Sequence, residues 1–273
     1  MTATLRKAIT TVVALVLVVA SIYPIAWMVA ISLQSSQSAY QQPTRWIFVP
    51  DFTTYLALFG DREFLAALAN SIQIAVISTG LCVLLGAMAA YTISRHRVRG
   101  SAGITFTLAL TRLIPSFAIA LPTFFVFQVL GLLDTVIGLI LALVAFQVPL
   151  TVLIMMSIFG GVPIAIDEAA TLDGAGAART FWTILLPIVR PGLAASAVVT
   201  FVLVWNEFLL VLVLAGDRLV TIPVLISKFQ GDKQILWAEI AASSVISLVP
   251  VVILIIAAHR HLLTGLGMGA VRE

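Results

Sequence analysis

Charge and cysteine are both scarce in this sequence. Only 10% of its 273 residues are Asp, Glu, Lys or Arg, whereas an average soluble domain carries about 25%. A soluble protein of this size would need more charge to cover its surface, so the mean hydropathy of +1.15 indicates an integral membrane protein in contact with lipid. Cys82 is the single cysteine, which excludes an internal disulfide, and no Cys/His spacing typical of a metal site is present.

Several motifs of catalysis and cofactor binding are also missing. There is no GxxxxGKS or GxxxxGKT phosphate loop, so the chain is not expected to hydrolyse ATP itself or to hold any cofactor. HExxH, GxSxG and paired carboxylates are absent from the apolar stretches, which argues against a membrane enzyme, and we expect no catalytic residue and no bound metal. The net charge of +3 is mild, and no basic cluster suggests nucleic acid as a partner.

What the sequence has in abundance is long apolar runs. Six of them approach the ~20 residues that a membrane-spanning helix needs, at about 8–33, 64–94, 101–124, 136–159, 192–215 and 240–258. The first run is long for a cleaved signal peptide, which remains the alternative to a spanning helix there. Pro115 and Pro122 are expected to break the third span, and Gly86 and Ala90 to let another helix approach the second closely. We therefore predict an all-α membrane protein in which residues 1–273 form one transmembrane domain.

The orientation follows from lysine and arginine. Six spans place both termini on the same side, and that side holds more lysine and arginine than the other, including the short basic loop of Arg95, Arg97 and Arg99. Because such residues accumulate in cytoplasmic segments, both termini, this loop and the segment 160–191 are predicted to be cytoplasmic.

The segment Pro163–Pro191 is the main polar interruption in the second half of the chain. Its sequence predicts a short helix, Ile164–Leu172, with Pro163 at the first helical position and acidic residues near the positive end of the helix dipole. Gly174 is expected to end this helix, and Asp173 to cap a second one. The second helix, 175–186, would present one face formed by Ala178, Phe181, Trp182 and Leu185. On physical grounds alone, a generic amphipathic hairpin at the membrane surface is an equally valid interpretation.

The spacing of Glu168-Ala169-Ala170, Gly174 and Ile184-x-Leu186-Pro187 resembles the EAA loop of ATP-binding-cassette (ABC) importer permeases. Nearly the whole chain is similar to the smaller, six-span subunit of the maltose-type sugar permeases. The other matching segments are Asn70-Ser71, Gly86 to Tyr91, Leu130 to Thr135, Trp205 to Phe208, and the glycine-rich ending Gly265 to Val271.

The resemblance implies the type I ABC importer permease fold in the bacterial cytoplasmic (inner) membrane, and transport of a carbohydrate or carbohydrate-like solute by alternating access. The implied partners are a second permease subunit in a heterodimer, two ATPase subunits or domains that hold ATP and Mg, and an extracytoplasmic solute-binding protein. The short helix would dock on the ATPase, and the tail would either contact the ATPase dimer or fray. The residues implied in coupling are Asp167, Glu168, Ala169, Ala170, Asp173 and Gly174. The alternative is a stand-alone secondary transporter, but the inverted repeats typical of that class are not seen.

Charged residues inside predicted spans are candidates for the solute path. Arg112 lies in the third span and Glu207 in the fifth, both near mid-bilayer, where they could form a structural ion pair or line the path. Arg112 departs from the family pattern, in which an apolar residue is commoner, and an arginine there could recognise an anionic group. Whether the solute is a sugar, an amino sugar or a glycerophosphodiester stays open. Further candidates, either as helix contacts or as solute ligands, are Gln128, Gln147, Trp205 and Asn206.

Overall fold

The structure, a computed structural model, describes residues 3–40, 46–96, 98–216, 218–231 and 235–270. Within these ranges the chain is helical and forms no β-strand, apart from an isolated bridge between Gln230 and Ile235. Arg97 of the basic loop and Val271 of the C-terminal motif lie outside the described residues.

Thirteen helical segments follow one another in the described ranges. In chain order they are α1 (Ala3–Ser32), α2 (Thr53–Gly60), α3 (Arg62–Arg95), α4 (Ser101–Thr111), α5 (Ser116–Leu130), α6 (Val136–Gly160), α7 (Ala165–Leu172), α8 (Ala177–Arg179), α9 (Leu186–Ile188), α10 (Arg190–Trp205), α11 (Leu209–Leu214), α12 (Ile222–Lys228) and α13 (Trp237–Ala270). A 3₁₀ turn, Ser38–Tyr40, precedes α2, and a π-helical turn, Thr180–Leu185, joins α8 to α9.

The helix lengths agree with the predicted spans. Four helices, α1, α3, α6 and α13, are long and apolar enough to cross a membrane. Two bent pairs also qualify by composition: α4 with α5, at 94°, and the segment Ala177–Ile188 with α10, at 79°. If each pair counts as one span, the described chain contains six, which confirms the all-α membrane fold.

The third span is broken once, not twice. The break lies between Thr111 and Ser116, with Pro115 as the residue before α5. Proline suits a helix start because its missing N–H would be unpaired there. The predicted break at Pro122 is wrong, since this residue lies inside α5, which continues beyond the predicted end to Leu130. Gly131, in the left-handed region at φ +67°, then ends the helix.

The fifth span was predicted to be continuous, and this prediction is wrong. Helix α10 ends at Trp205 and α11 begins at Leu209. At the break the Asn206 side-chain amide donates to the carbonyl of Val202 at 2.8 Å, and the Glu207 carboxylate accepts from the N–H of Leu210 at 3.1 Å. These side chains satisfy backbone groups that a helix end leaves unpaired. The last span also runs past its predicted end, because α13 continues to Ala270.

The chain forms two compact units. One comprises Met1–Ala66 with Leu225–Val249, and the other Ala67–Val224 with Pro250–Glu273. In the first unit, Tyr55 donates a hydrogen bond to Ser32 at 2.7 Å, and Lys228 pairs with Glu63 at 2.9 Å.

The core of the second unit lies where α3 meets α6. A Cβ built on Gly86 would come 2.7 Å from Cγ2 of Thr151, and Ala90 is completely buried. The close helix approach predicted from these two small residues is therefore confirmed. Phe159 of α6 and Leu185 of the π-helical turn, both fully buried, extend this core to the base of the Pro163–Pro191 segment.

Candidate functional site

The first arm of the hairpin is helix α7. It carries Asp167 and Glu168 in its first turn, where the positive end of the helix dipole stabilises negative charge. The predicted bounds were nearly right, but α7 begins at Ala165, so that Pro163 precedes the helix instead of occupying its first position.

Gly174 makes the turn that ends α7. Its φ is +75°, in the left-handed region, and its N–H donates to the carbonyl of Thr171 at 3.0 Å. The next N–H, of Ala175, reaches back to the carbonyl of Ala170 at 2.9 Å, which satisfies carbonyls at the helix end. A Cβ on Gly174 would meet no atom within 4 Å, so glycine is needed here for its backbone conformation and not for space.

Asp173 does not have the role predicted for it. The structure places this exposed residue at the C-terminal end of α7. The following helix starts at Ala177 after Gly176, and no side chain caps it. The prediction fails because the turn continues through Ala175 and Gly176, which moves the second helix two residues along the chain.

The second arm differs from the predicted α-helix over 175–186. It is interrupted by the π-helical turn Thr180–Leu185, which changes the angular spacing of the side chains. The predicted four-residue face is therefore split: Phe181 and Leu185 are buried, whereas Trp182 is 48% exposed and Ala178 is exposed. Regular 3.6-residue periodicity cannot reveal such a turn in advance.

The outward face of α7 combines acidic and apolar side chains. Glu168, Ala169 and Asp173 are exposed, and Leu172 is 90% exposed. The resemblance implied both Ala169 and Ala170 in coupling, but Ala170 is buried against the chain itself, so that of the two only Ala169 is open to close approach by a partner. The inward side of α7 packs against the π-helical turn.

Arg95 is a residue of this site that sequence reasoning missed. One guanidinium nitrogen, Nη2, donates to the carbonyls of Phe159 and Val162, each at 2.6 Å. Its Nε lies 3.6 Å from a carboxylate oxygen of Asp167, and the two side chains are 5% and 19% exposed. The sequence placed Arg95 only in a basic loop, because nothing local links it to an acid so far along the chain. Asp167, which the resemblance implied in coupling, points toward Arg95.

An aromatic cluster packs beside this ion pair. The ring of Tyr91 on α3 lies 5.1 Å from that of Phe181 and 5.9 Å from that of Phe159, measured between centroids. Tyr91 also contacts His96 edge to face at 5.4 Å. The cluster joins α3, α6 and the π-helical turn, so the second arm of the hairpin is held by packing.

The charged candidates within the spans have separate partners. Arg112, at the bend after α4, donates to the carbonyl of Phe146 at 3.0 Å and to the side-chain oxygen of Gln147 at 3.4 Å. Its guanidinium also lies 4.8 Å above the Phe146 ring. Glu207 binds the N–H of Leu210, as described above. The anticipated pair between Arg112 and Glu207 is therefore not formed in the described structure.

A cavity of about 670 Å³ lies beside the bend after α4, where Thr111 and Ile114 line it. Its walls come from α4, α5, α6 and α11 and are mainly apolar, including Thr111, Phe127, Phe146, Pro149 and Leu210. Arg112 and the buried Gln147 do not line this space themselves, but their chain neighbours Thr111 and Phe146 do.

The remaining solute-path candidates do not line the cavity either. Gln128 is exposed on α5, and Asn206 is exposed at the break after α10. Trp205 is buried and stacks on Phe201 of its own helix, with ring centroids 5.6 Å apart.

Three further polar side chains hold the segment between α11 and α12, in which Leu219, Val220 and Thr221 are buried. Asp134, itself at φ +54°, accepts hydrogen bonds from the N–H groups of Gly216 at 2.9 Å and Leu219 at 3.1 Å. Asn70 donates to the carbonyl of Val220, and Ser71 accepts from the N–H of Ile222. Two of the sequence segments that carried the family resemblance therefore share one structural task, which their separation in sequence concealed.

Comparison with known proteins identifies the family. Residues 82–266 match the family described as "Binding-protein-dependent transport system inner membrane component". The chain is 31% identical over 258 residues to the trehalose transport system permease protein SugB of Mycobacterium tuberculosis, covering 92% of this chain and 93% of that protein. It is 30% identical over 272 residues to the trehalose/maltose transport system permease protein MalG of Thermococcus litoralis, covering 98% of each.

The fold has a close structural neighbour. A chain from the crystal structure of a bacterial ABC transporter involved in the import of the acidic polysaccharide alginate superimposes with a TM-score of 0.79 at 22% identity, covering 94% of this chain and 96% of that one. The fold is thus that of an ABC importer permease, and the resemblance to maltose-type permeases is confirmed. The chain belongs to the family of inner-membrane components of binding-protein-dependent transport systems, and is a transport subunit, not an enzyme.

Proposed function

We propose that this chain is the permease subunit of an ATP-driven importer that moves a carbohydrate or carbohydrate-like solute across the cytoplasmic membrane by alternating access. The names of the trehalose and maltose relatives support the solute class. The complex would contain a second permease, two ATPase subunits or domains with ATP and Mg, and a solute-binding protein, whereas this chain holds no cofactor. Family membership favours this function over a stand-alone secondary transporter.

The exposed face of α7 is the observation that carries the proposal. Glu168 can accept charge-assisted hydrogen bonds from an ATPase, and Ala169 lets its surface approach closely. Leu172, 90% exposed, would enter an apolar hollow of the same partner. Gly174 fixes the turn, and the other side of the hairpin is buried in the core, so the exposed face of α7 is held in a fixed position.

Glu168→Ala in the reconstituted complex tests this function. Loss of a hydrogen bond to a charged group costs about 1.5–3 kcal/mol, so solute transported per ATP hydrolysed is expected to fall at least about tenfold. The measurements are solute uptake and ATP hydrolysis in proteoliposomes, with co-purification of the ATPase. Glu63→Ala is the matched control, because Glu63 is an exposed acid outside the hairpin. Unchanged uptake per ATP in a fully assembled Glu168→Ala complex would contradict the proposal.

The solute path is proposed to include Arg112 and Gln147 beside the apolar cavity. A guanidinium has five N–H donors, and one nitrogen of Arg112 serves Phe146 and Gln147. The other donors can bind an anionic group, such as the carboxylate or phosphate of a modified sugar. The structural neighbour belongs to an importer of an acidic polysaccharide, which is consistent with an anionic solute.

A further inference from the structure

We propose that Arg95 is the joint through which displacement of the coupling helix α7 reaches the spans α3 and α6. This inference rests on the proposed function, since an ATPase must move α7 for the joint to act. It gives Asp167 a different task from Glu168: Asp167 holds α7 to the membrane helices, and Glu168 faces the partner.

Three segments of the chain meet at the Arg95 guanidinium. Arg95 is the last residue of α3, Phe159 lies in the last turn of α6, and Val162 is in the link to α7. The last carbonyls of a helix have no partner within it and form the negative end of its dipole. The guanidinium therefore binds unpaired carbonyls at the end of α6, and its ion pair with Asp167 also holds the first turn of α7.

Burial makes this contact stiffer than an ordinary surface ion pair. The side chains of Arg95 and Asp167 are 5% and 19% exposed, whereas those of Lys228 and Glu63, which form another ion pair, are 48% and 55% exposed. Exposed pairs contribute little, because water and salt screen them. Removing one partner of a buried pair leaves an uncompensated charge, which is strongly unfavourable. The Arg95–Asp167 contact is thus expected to persist while α7 is displaced.

Packing alone does not provide the same connection for α7. The aromatic cluster of Tyr91, Phe159 and Phe181 fixes the second arm of the hairpin to α3 and α6. On α7 itself, Ile166 is partly buried against this core, but apolar contact is non-directional and permits sliding. The ion pair with Asp167, at 3.6 Å, adds to that packing and links α7 to the same guanidinium that binds the carbonyls of Phe159 and Val162.

Asp167→Asn is the most selective variant, because it removes the carboxylate charge and keeps the side-chain shape. Arg95 retains its two carbonyl bonds, so the ends of α3 and α6 are expected to stay in place. The expected result is a several-fold fall in solute transported per ATP hydrolysed, with normal co-purification of the ATPase. Arg95→Gln should have a larger effect, because it also removes the carbonyl bonds. Glu63→Gln, which breaks the exposed ion pair, is the matched control and should change nothing.

A distance measurement tests the rigidity directly. Spin labels on Thr92 of α3 and Thr171 of α7, both exposed, would be introduced in a Cys82→Ala background. With Asp167 present, the distance between the labels should be the same in the nucleotide-free and ATP-bound complexes. With Asp167→Asn, ATP should shift or broaden it. The proposal would be overturned if ATP changed the label distance while Asp167 is present. It would also be overturned if the distances were the same with Asp167 and with Asp167→Asn.

The two proposals fail in different ways. If Glu168→Ala leaves coupling intact in an assembled complex, the proposed docking function is wrong. If Glu168→Ala uncouples transport but Asp167→Asn does not, docking stands and the joint at Arg95 is rejected.

Discussion

The turn at Gly174 allows a test in which backbone conformation is the only variable. Its φ of +75° lies in the left-handed region, which costs a residue with a side chain about 1–2 kcal/mol. A Cβ at this position would meet nothing within 4 Å, so steric crowding adds no further cost. Asparagine tolerates the left-handed region better than alanine, and a β-branched residue tolerates it least. Coupling is therefore expected to decrease in the order Gly, Asn, Ala, Val.

The size of the effect follows from the same cost. If the strain is relieved by opening the turn, about 1–2 kcal/mol lowers the population of the native turn relative to the opened one by roughly 5–30-fold. If the opened turn becomes the dominant form, Gly174→Ala should reduce uptake per ATP by a factor within that range. Gly174→Asn should have a smaller effect. Uptake and ATP hydrolysis in proteoliposomes give the ratio, and pull-down of the ATPase by a tagged permease reports docking.

Gly176 provides the control within the same hairpin. It is also in open space, but its φ is −70°, which any residue adopts. Gly176→Ala should therefore leave coupling unchanged. The reasoning would be refuted if Gly174→Val behaved like the unmodified protein, or if Gly176→Ala were as damaging as Gly174→Ala.

Two further predictions concern polar side chains elsewhere in the second unit. Asp134→Ala leaves the N–H groups of Gly216 and Leu219 without their acceptor. An unsatisfied buried N–H costs about 1–3 kcal/mol, and of these two residues only Leu219 is buried. A lower thermal unfolding midpoint in detergent is expected, with Asp134→Asn in between, and an unchanged midpoint would contradict it. Arg112→Gln removes the cation beside the apolar cavity, so uptake should fall while assembly stays normal; unchanged solute affinity and uptake would reject a role in the solute path.

The spans could be predicted because the membrane constrains helix length. A run of ~20 apolar residues has few alternatives in lipid, and α1, α3 and α6 appear close to where the sequence placed them. The break at Pro115 could also be predicted, since proline marks a helix start. The break between Trp205 and Leu209 could not be predicted, because it contains neither proline nor glycine. The orientation of the termini and the roles of the coupling residues remain predictions.

Contacts between residues that are far apart in the chain could not be predicted from the sequence. Gly174 could be predicted from its local role, because a left-handed turn favours one residue type. Arg95 and Asp167 could not be paired, since each has a sufficient local explanation: a basic residue at a membrane surface and an acid in a first helical turn. The same holds for Asp134, because the N–H groups that donate to it lie on a segment far along the chain.

Several charged side chains among the described residues bind the backbone. Arg95 binds two carbonyls, Arg112 binds one, Asp134 accepts from two N–H groups and Glu207 from one. Each lies where a helix ends or bends, and unpaired backbone groups are especially costly in lipid. A charged residue at membrane depth therefore indicates a solute ligand only if its hydrogen bonds to the backbone do not already explain its position. Glu168, whose carboxylate has no hydrogen bond to another described residue, is the charge best explained by a partner.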